Sequence, residues 1–240
     1  IVRDSEVSYS ASYGIQIDPS STSPYMTSLT IERSTIANNT SAGIFLEGID
    51  TLVMTDNSFN NNGLPVEIQL STLQLNQVYN NSASGNTSNA ILLSVDTLTG
   101  VSVFHSDVAY RIRSVSVPAG SELQLQAGAI VKVDTGYSMT INGSLVTQGT
   151  ALQKAYITSY KDDSVGGDTN SDGSATSPAP GDWDYITFGD NASGTFDHAV
   201  IRYGGTSSIS YGSLRMLQNG TLIVRDSEVS YSASYGIQID

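Results

Sequence analysis

One stretch of this chain occurs twice. Residues 1–18 and residues 223–240 both read IVRDSEVSYSASYGIQID, so all 18 positions agree at an offset of 222. Agreement over this length does not arise by chance, and self-similarity at a long period indicates a repeat architecture. We therefore interpret 1–222 as one unit of a tandem array and 223–240 as the start of the next identical repeat. An engineered chain with one segment added as a cap is the alternative.

The copied stretch also shows the local pattern of the chain. Apolar and polar residues alternate through IVRDSEV, and they alternate again in YGIQI after a polar turn. A period of two with β-branched residues predicts strands. The same pattern of strand, bend, apolar residue, polar turn and strand starts near Leu29, Leu52 and Leu73, which gives about 20 residues per unit. Residues 19–28, with two prolines, are predicted to form a projecting loop, and 96–121 is less regular.

A unit of this length suits one coil of a parallel β-helix, in which turns join three short strands. A single coil cannot bury its inward face, whereas a stack of coils can. We expect an all-β parallel solenoid without significant helix and with about nine or ten coils per 222 residues. The side chains expected to point inward are Leu123, Leu125, Ala127, Ala129, Val131, Val133, Met139, Ile141, Leu145 and Ile157.

The segment from 122 to 188 contains AGAIVKV, INGSLVTQGT, YITSYKDDSVGGDTNSDG and GDWDYITF. Together with the strand patterns of 26–93 and 196–240, these motifs resemble the right-handed parallel β-helix of the pectate-lyase-like superfold. The resemblance is to the form found in large bacterial surface and secreted proteins. It covers most of the chain and implies a single β-helix segment over 1–240.

Charge and composition limit the partners of the chain. The formal net charge is −13, with only ten Lys and Arg, so a nucleic acid would be repelled. No apolar run is long enough to predict a membrane span. The chain has no cysteine, so outside the cell it would depend on its hydrogen-bond ladder, its core and metal ions.

Residues 161–184 form an aspartate-rich loop that interrupts the strand pattern and is predicted to project from the solenoid. Within it, DTNSDG at 168–173 matches the opening of an EF-hand calcium loop. The twelfth position of that loop is Ala179 instead of glutamate, so further ligands must come from nearby carboxylates. We expect Ca²⁺ here; a solvated loop without metal is the alternative. The predicted metal ligands are Asp162, Asp163, Asp168, Asn170, Asp172 and Asp182.

Asparagines are concentrated at the predicted turns. Asparagine tolerates left-handed backbone geometry, and stacked asparagines can form hydrogen-bonded ladders. The alternative role is glycan attachment, since several positions fit N-x-[ST]. They include Asn38, Asn80, Asn86, Asn142, Asn191 and Asn219.

Titratable residues outside the loop predict no complete catalytic site. His105 lies among apolar residues and is interpreted as structural. His198 follows Asp197, but neighbours in a strand point to opposite faces, so it is also interpreted as structural. Arg111 and Arg113 share one strand face, where they are expected to pair with local aspartates; binding of an acidic sugar is the alternative.

Signatures of sugar-cleaving β-helices are incomplete. A DD pair occurs at 162–163, but GHG and RIK of polygalacturonase-like proteins do not occur. Lys161 beside Asp162 leaves a lyase reaction open, because lyases need a basic residue near a calcium cluster. No enzyme activity is predicted, since a tandem array of identical catalytic units would be unusual.

These observations favour a structural or adhesive tandem-repeat segment of an extracellular filament or giant cell-surface protein. Neighbouring repeats of the same chain would be its partners, and carbohydrate or other cell surfaces are further candidates. The alternative is a secreted β-helix that binds or cleaves a polysaccharide. The identical ends discriminate between the two, because an enzyme has no need to continue past its own repeat.

Overall fold

A computed structural model describes residues 1–18 and 26–240. These residues form 27 strands and no helix. The strands are β1 Val2–Arg3, β2 Glu6–Ser8, β3 Ile15–Ile17, β4 Met26–Glu32, β5 Thr35–Ala37, β6 Ala42–Leu46, β7 Ile49–Thr55, β8 Ser58–Asn60, β9 Leu64–Leu73, β10 Val78–Tyr79, β11 Ser82–Ser84, β12 Ala90–Leu98, β13 Val101–Phe104, β14 Ala109–Ile112, β15 Val115–Val117, β16 Glu122–Gln126, β17 Ile130–Val133, β18 Met139–Ile141, β19 Ser144–Gln148, β20 Ala155–Ser159, β21 Ile186–Phe188, β22 Ser193–Asp197, β23 Ala199–Arg202, β24 Leu214–Met216, β25 Thr221–Arg225, β26 Glu228–Ser230 and β27 Ile237–Ile239.

Within the first four coils, and again within the fifth to ninth coils, each strand pairs in parallel with its equivalents in the neighbouring coils. The first strands of the coils form a sheet of four, β1-β4-β7-β10, followed by a sheet of five, β13-β16-β19-β22-β25. The described residues therefore form nine stacked coils, which confirms the predicted parallel solenoid. Of the predicted loop at 19–28, residues 19–25 lie outside the described residues, and 26–28 belong to β4.

The number of coils per repeat is smaller than predicted. The two copies of the 18-residue stretch form the first and ninth coils, so 222 residues span eight coils instead of nine or ten. Long segments at 160–185 and 203–213 lie outside the strand ladder and account for the difference. With parallel strands about 4.8 Å apart, eight coils advance about 38 Å along the axis.

Two local predictions also need correction. Leu29 pairs with Leu52, but Leu73 ends β9 and pairs with Leu98. Leu73 is therefore not equivalent to Leu29 and Leu52, because coils in this region take 23 or 24 residues, as the pairs Leu29–Leu52 and Met54–Val78 show. The stretch 96–121, expected to be less regular, contains the complete coil of β13, β14 and β15.

The core is a continuous column of inward side chains. Of the predicted inward set, all are buried except Ala127, which is half-buried. Aromatic rings pack within the column. Phe104 stacks on Tyr110 with ring centroids 4.1 Å apart, and Phe188 meets Phe196 edge to face. Each fully buried side chain of this size stabilises the fold by about 1.5–3 kcal/mol.

Asparagine ladders close the turns, as predicted. Asn39 Nδ2 donates to Asn62 Oδ1 at 2.9 Å, and Asn62 Nδ2 donates to Asn86 Oδ1 at 3.0 Å. A second ladder joins Asn57 to Asn81 at 3.0 Å. The Asn86 amide is buried and also donates to a main-chain oxygen, which leaves no room for a glycan at that position.

The cross-section of the solenoid changes between the fourth and fifth coils. The sheet β2-β5-β8-β11 ends at β11, and β14 pairs instead with the first half of β12. The corner at Thr87 and Ser88 therefore has no coil stacked on it in the usual position. This change of cross-section, called the step below, lies next to the aspartate-rich insertion.

Candidate functional site

The insertion at 161–184 leaves the ladder after β20 and returns at β21. It was expected to project sideways, but it folds back along the outside of the solenoid. Ser88 Oγ donates to the Thr169 carbonyl at 2.8 Å, and Ser171 Oγ donates to the Thr87 carbonyl at 2.6 Å. Thr169 is completely buried. The insertion thus covers the step between the fourth and fifth coils.

Cationic side chains on the outer face of the ladder explain this position. Arg111 and Lys132 are partners in adjacent strands, and both donate to insertion carbonyls, Arg111 to Thr169 and Lys132 to Gly167. Lys132 has no exposed surface. Burial lowers the pKa of Lys132 to about 8, although Asp163, Asp162 and Asp168 partly oppose this effect. The acidic insertion thus lies against buried positive charge.

Two of the six predicted metal ligands are paired with basic side chains instead. Asp162 is buried and accepts hydrogen bonds from Arg202 Nε at 2.8 Å and from Thr158 Oγ1 at 2.5 Å. Burial raises the pKa of Asp162, but hydrogen bonds from Ser164, Thr158 and Arg202 outweigh it and hold the pKa below its usual value. Asp182 accepts from Lys161 Nζ at 2.8 Å. Both carboxylates therefore fix the base of the insertion.

The other predicted ligands come together. Carboxylate oxygens of Asp163, Asp168 and Asp172 lie within 4.8 Å of one another. Asn170 Nδ2 donates to Asp172 Oδ2 at 2.9 Å, which places the amide beside the three carboxylates. Asp168 accepts the main-chain N–H of Ser171 at 2.6 Å. The loop thus brings the side chains of alternate residues, Asp168, Asn170 and Asp172, close together.

This carboxylate cluster lacks donors for some of its oxygens. Asp163 Oδ1 and Asn170 Oδ1 are both buried and accept no hydrogen bond from any residue that the structure describes. Burial raises the pKa of Asp163, and the negative charges of Asp168 and Asp172 raise it further. Buried oxygens without donors destabilise a fold unless another group satisfies them. A hard divalent cation fits such a set, because Ca²⁺ binds oxygen ligands.

The basic and imidazole side chains are placed as follows. Arg111 and Arg113 both bind Asp134, at 2.5 and 3.4 Å, which confirms the predicted pairing with a local aspartate. His105 lies against the ring of Tyr79, with centroids 5.5 Å apart, in agreement with a structural role.

The prediction that His198 and Asp197 point apart is wrong. His198 Nδ1 lies 2.7 Å from Asp197 Oδ1. The strand β22 ends at Asp197, and His198 has a left-handed backbone with φ of 46°, so the alternation of faces is interrupted there. Asp226 in the ninth coil joins this pair. Sequence alone could not reveal the cluster, since Asp226 joins the pair only through the stacking register.

The end coils form a second candidate site. Strands and turns occur at the same positions in both copies, apart from the first residue. Asp4 and Asp226 have φ of 48° and 47°, and Tyr9 and Tyr231 have φ of 61° and 51°. The first copy pairs with the second coil, whereas the second copy pairs with the eighth coil. One sequence therefore has one conformation in two positions that are paired on opposite sides.

A polar cleft of about 620 Å³ crosses the turn that precedes β16, β19 and β22. Serine, glycine and asparagine line most of it, together with the carboxylates of Glu122 and Asp190. Glu122 accepts a hydrogen bond from Ser144 Oγ at 2.8 Å. None of the described residues that line the cleft is a lysine, an arginine or a histidine.

Comparisons with known proteins agree with this architecture. No curated protein and no solved structure matches the chain. Across the residues that the structure describes, no helix is long and apolar enough to cross a membrane. The family model described as "Right handed beta helix region" matches residues 1–153. Because this match covers more than half of the chain, the protein belongs to the right-handed β-helix family.

Proposed function

We propose that this chain is a structural tandem-repeat segment of an extracellular filament or a giant cell-surface protein. The observation that carries the proposal is the identity of the end coils in sequence and backbone. In a continuing chain, the coil at 223–240 would be covered on its open side by a coil equivalent to 26–46. The solenoid would then extend without interruption, with a period of about 38 Å.

Other features support a structural role outside the cell. The surface is acidic, with a net charge of −13, and rich in Ser, Thr and Asn, which suits a soluble filament. A solenoid coil contacts only its neighbours, so length can be added without redesign of the core. Adhesion to carbohydrate or to other cell surfaces would use the long outer faces.

Chains of one, two and three 222-residue units, each ending with residues 1–18, would test this proposal. We expect the length measured by small-angle X-ray scattering to rise by about 38 Å per unit, at constant cross-section. The control is a two-unit chain in which the junction coil is replaced by a Gly/Ser linker of equal length. It should behave as two rods joined by a flexible segment. A compact two-unit chain that is no longer than one unit would refute the proposal.

We also propose that the cluster of Asp163, Asp168, Asp172 and Asn170 binds Ca²⁺. The buried oxygens without donors support this proposal, because a bound cation would supply their missing partner. The raised pKa of Asp163 supports it as well, because a cation would stabilise a carboxylate whose negative charge is disfavoured by burial and by its acidic neighbours. The proposed ligand set is smaller than the predicted one, since Asp162 and Asp182 are engaged by Arg202 and Lys161. Solvent would supply the remaining ligands.

Calcium titration by calorimetry, with protease digestion of 161–184 with and without chelator, tests this site. Asp168→Asn should abolish the heat of binding and the calcium-dependent protection. Asp50→Asn, which removes the same charge from an exposed position, should leave both unchanged. Equal digestion of the native insertion with and without Ca²⁺ would contradict the assignment.

Polysaccharide binding is the second candidate function. The polar cleft beside Glu122 favours it, because hydroxyl and amide groups there could bond to sugar hydroxyls. Glycan-array binding that is lost in Ser144→Trp, which would fill the cleft, would support this role. Binding that is unaffected by this substitution would exclude the cleft as the site.

A further inference from the structure

The end coils present opposite open edges of the same ladder. The first coil, at 1–18, pairs only with the second coil, and the ninth coil, at 223–240, pairs only with the eighth, as far as the described residues show. Because the copies are identical, the ninth coil exposes the edge with which the first coil binds 26–46. By the same reasoning, the first coil exposes the edge with which the ninth coil binds 193–216.

Charge makes these edges specific. Above the first coil, Arg3 binds Glu32 at 2.7 Å, and Arg33 binds Asp4 at 2.7 Å. Below the ninth coil, Arg225, the equivalent of Arg3, lies 3.4 Å from Asp197. The copied coil therefore meets charges of opposite sign on both sides. Among the described residues, Asp226, the equivalent of Asp4, has no arginine partner like that of Asp4.

Main-chain N–H groups at the turns also bond the copied coil to its neighbours on both sides. The N–H of Ser5 donates to Ser34 Oγ at 3.2 Å, and the N–H of Ala199 donates to Ser227 Oγ at 2.9 Å. Ser227 is the equivalent of Ser5, so a coil like 26–46 placed above it would continue this row of turn hydrogen bonds. Both open edges thus have a known complement within the same molecule.

We propose that the end coils are exchangeable between molecules: residues 223–240 of one chain take the place of residues 1–18 in a second copy. The chains then join head to tail. This interface is heterologous, and its translation along the axis does not close, so the product is an open-ended fibre. The partner is a second copy of this chain, and the proposal needs the equivalence of the two coils but not a natural array.

Two effects oppose this exchange in the 240-residue chain. Direct stacking of a first coil on a ninth coil places Arg3 over Arg225 and Asp4 over Asp226, so like charges would face each other. Exchange avoids this repulsion but only replaces one set of coil contacts by an identical set. The chain's own coil therefore occupies the position, because it is tethered at high effective concentration. Association requires that one end coil be displaced.

Identical copies allow matched variants of identical composition. Val7 and Val229 are equivalent, partly buried and packed against the core. An aspartate at either position should detach that coil and leave the rest folded, since each coil contacts only its neighbours. Val7→Asp should uncover 26–46 for the ninth coil of another molecule. Val229→Asp should uncover 193–216 for the first coil of another molecule.

Sedimentation velocity over a range of protein concentrations tests the exchange. Native chain should remain monomeric, and each single variant should form chains whose length rises with concentration. The double variant should be monomeric, because both of its end coils are detached. Stacking of the eighth coil of one molecule directly under the second coil of another would place Asp197 beneath Glu32, without the copied coil whose arginine lies between them. Adding Gly236→Val to Val7→Asp should also block association, since the new side chain occupies the docking edge.

Association of the double variant to the same extent as the single variants would show non-specific exposure and would overturn the proposal. Monomeric single variants whose altered coil is protease-sensitive would overturn it as well. If the aspartate leaves the coil attached, Val7→Pro and Val229→Pro serve as the detaching pair, with the same expected results. These outcomes are separate from the array test, in which all units are covalently joined.

Discussion

Glycines at equivalent positions of the two copies provide a sharp test of the stacking. A Cβ added at Gly14 would lie 2.7 Å from the Gly43 carbonyl oxygen and 2.8 Å from Asn39 Nδ2. The carbonyl belongs to a packed strand, and the Asn39 side chain belongs to the turn ladder, so neither can move freely. A Cβ at Gly236 meets nothing nearer than Val229 Cγ1 at 3.4 Å, which is an ordinary contact.

Gly14→Ala should therefore destabilise the chain by about 1–3 kcal/mol, the usual cost of overpacking. Gly236→Ala should be neutral or stabilising by up to about 1 kcal/mol, because alanine restricts the unfolded chain. For a chain of this size, about 2 kcal/mol corresponds to a difference of about 4–8 °C in melting temperature. The two variants have the same composition, so their comparison isolates the effect of the coil above.

Paired melting curves, with hydrogen exchange of the covered coils, would measure this difference. Exchange at 29–46 should increase in Gly14→Ala, and exchange at 196–216 should be unchanged in Gly236→Ala. In a two-unit chain, Gly236 is covered by the next unit, and its substitution should then cost as much as that of Gly14. Equal effects of the two substitutions in the single-unit chain would refute the stacking geometry on which both proposals depend.

Three further substitutions test the insertion and the turn ladder. Lys132→Met should raise the melting temperature at pH 7, because burial lowers the pKa of this lysine to about 8. A depressed lysine pKa costs stability below pH 8 and progressively less up to its ordinary value of 10.5, so the gain should shrink over that range in paired melting curves. Asp162→Asn should expose the insertion to protease with or without Ca²⁺, at a cost of about 3–5 kcal/mol, since Arg202 loses its partner. Asn62→Ala should cost about 1–3 kcal/mol for each buried ladder group left unpaired, measured by urea unfolding against exposed Asn76→Ala as the control.

Strand periodicity predicted the solenoid because inward and outward positions alternate wherever one face is buried. The copied ends predicted the equivalence of the terminal coils for a similar reason, since identical residues in a ladder adopt identical turns. The Asn39–Asn62 ladder followed from the density of asparagine at turns. These features are local, and a single sequence contains them.

Features that depend on the stacking register could not be predicted in this way. The meeting of Lys132 with Gly167 and of Arg202 with Asp162 requires the path of a long insertion, which has no periodicity. The same limit explains why Asp162 and Asp182 were grouped with the calcium ligands. His198 was misplaced because a left-handed residue at the strand end is not visible in an alternating pattern.

The insertion has a mechanical consequence for a chain under tension. A plain solenoid yields coil by coil, since each coil is held only by its neighbours. Here one segment that belongs to the seventh coil is bonded to Ser88 in the fourth coil, Arg111 in the fifth, Lys132 in the sixth and Arg202 in the eighth. These coils must rupture together, whereas the first three can peel away singly. Each unit pulled from its ends would therefore extend in two steps. The first three coils would unfold at low force, and the coils that the insertion joins would unfold together at a higher force.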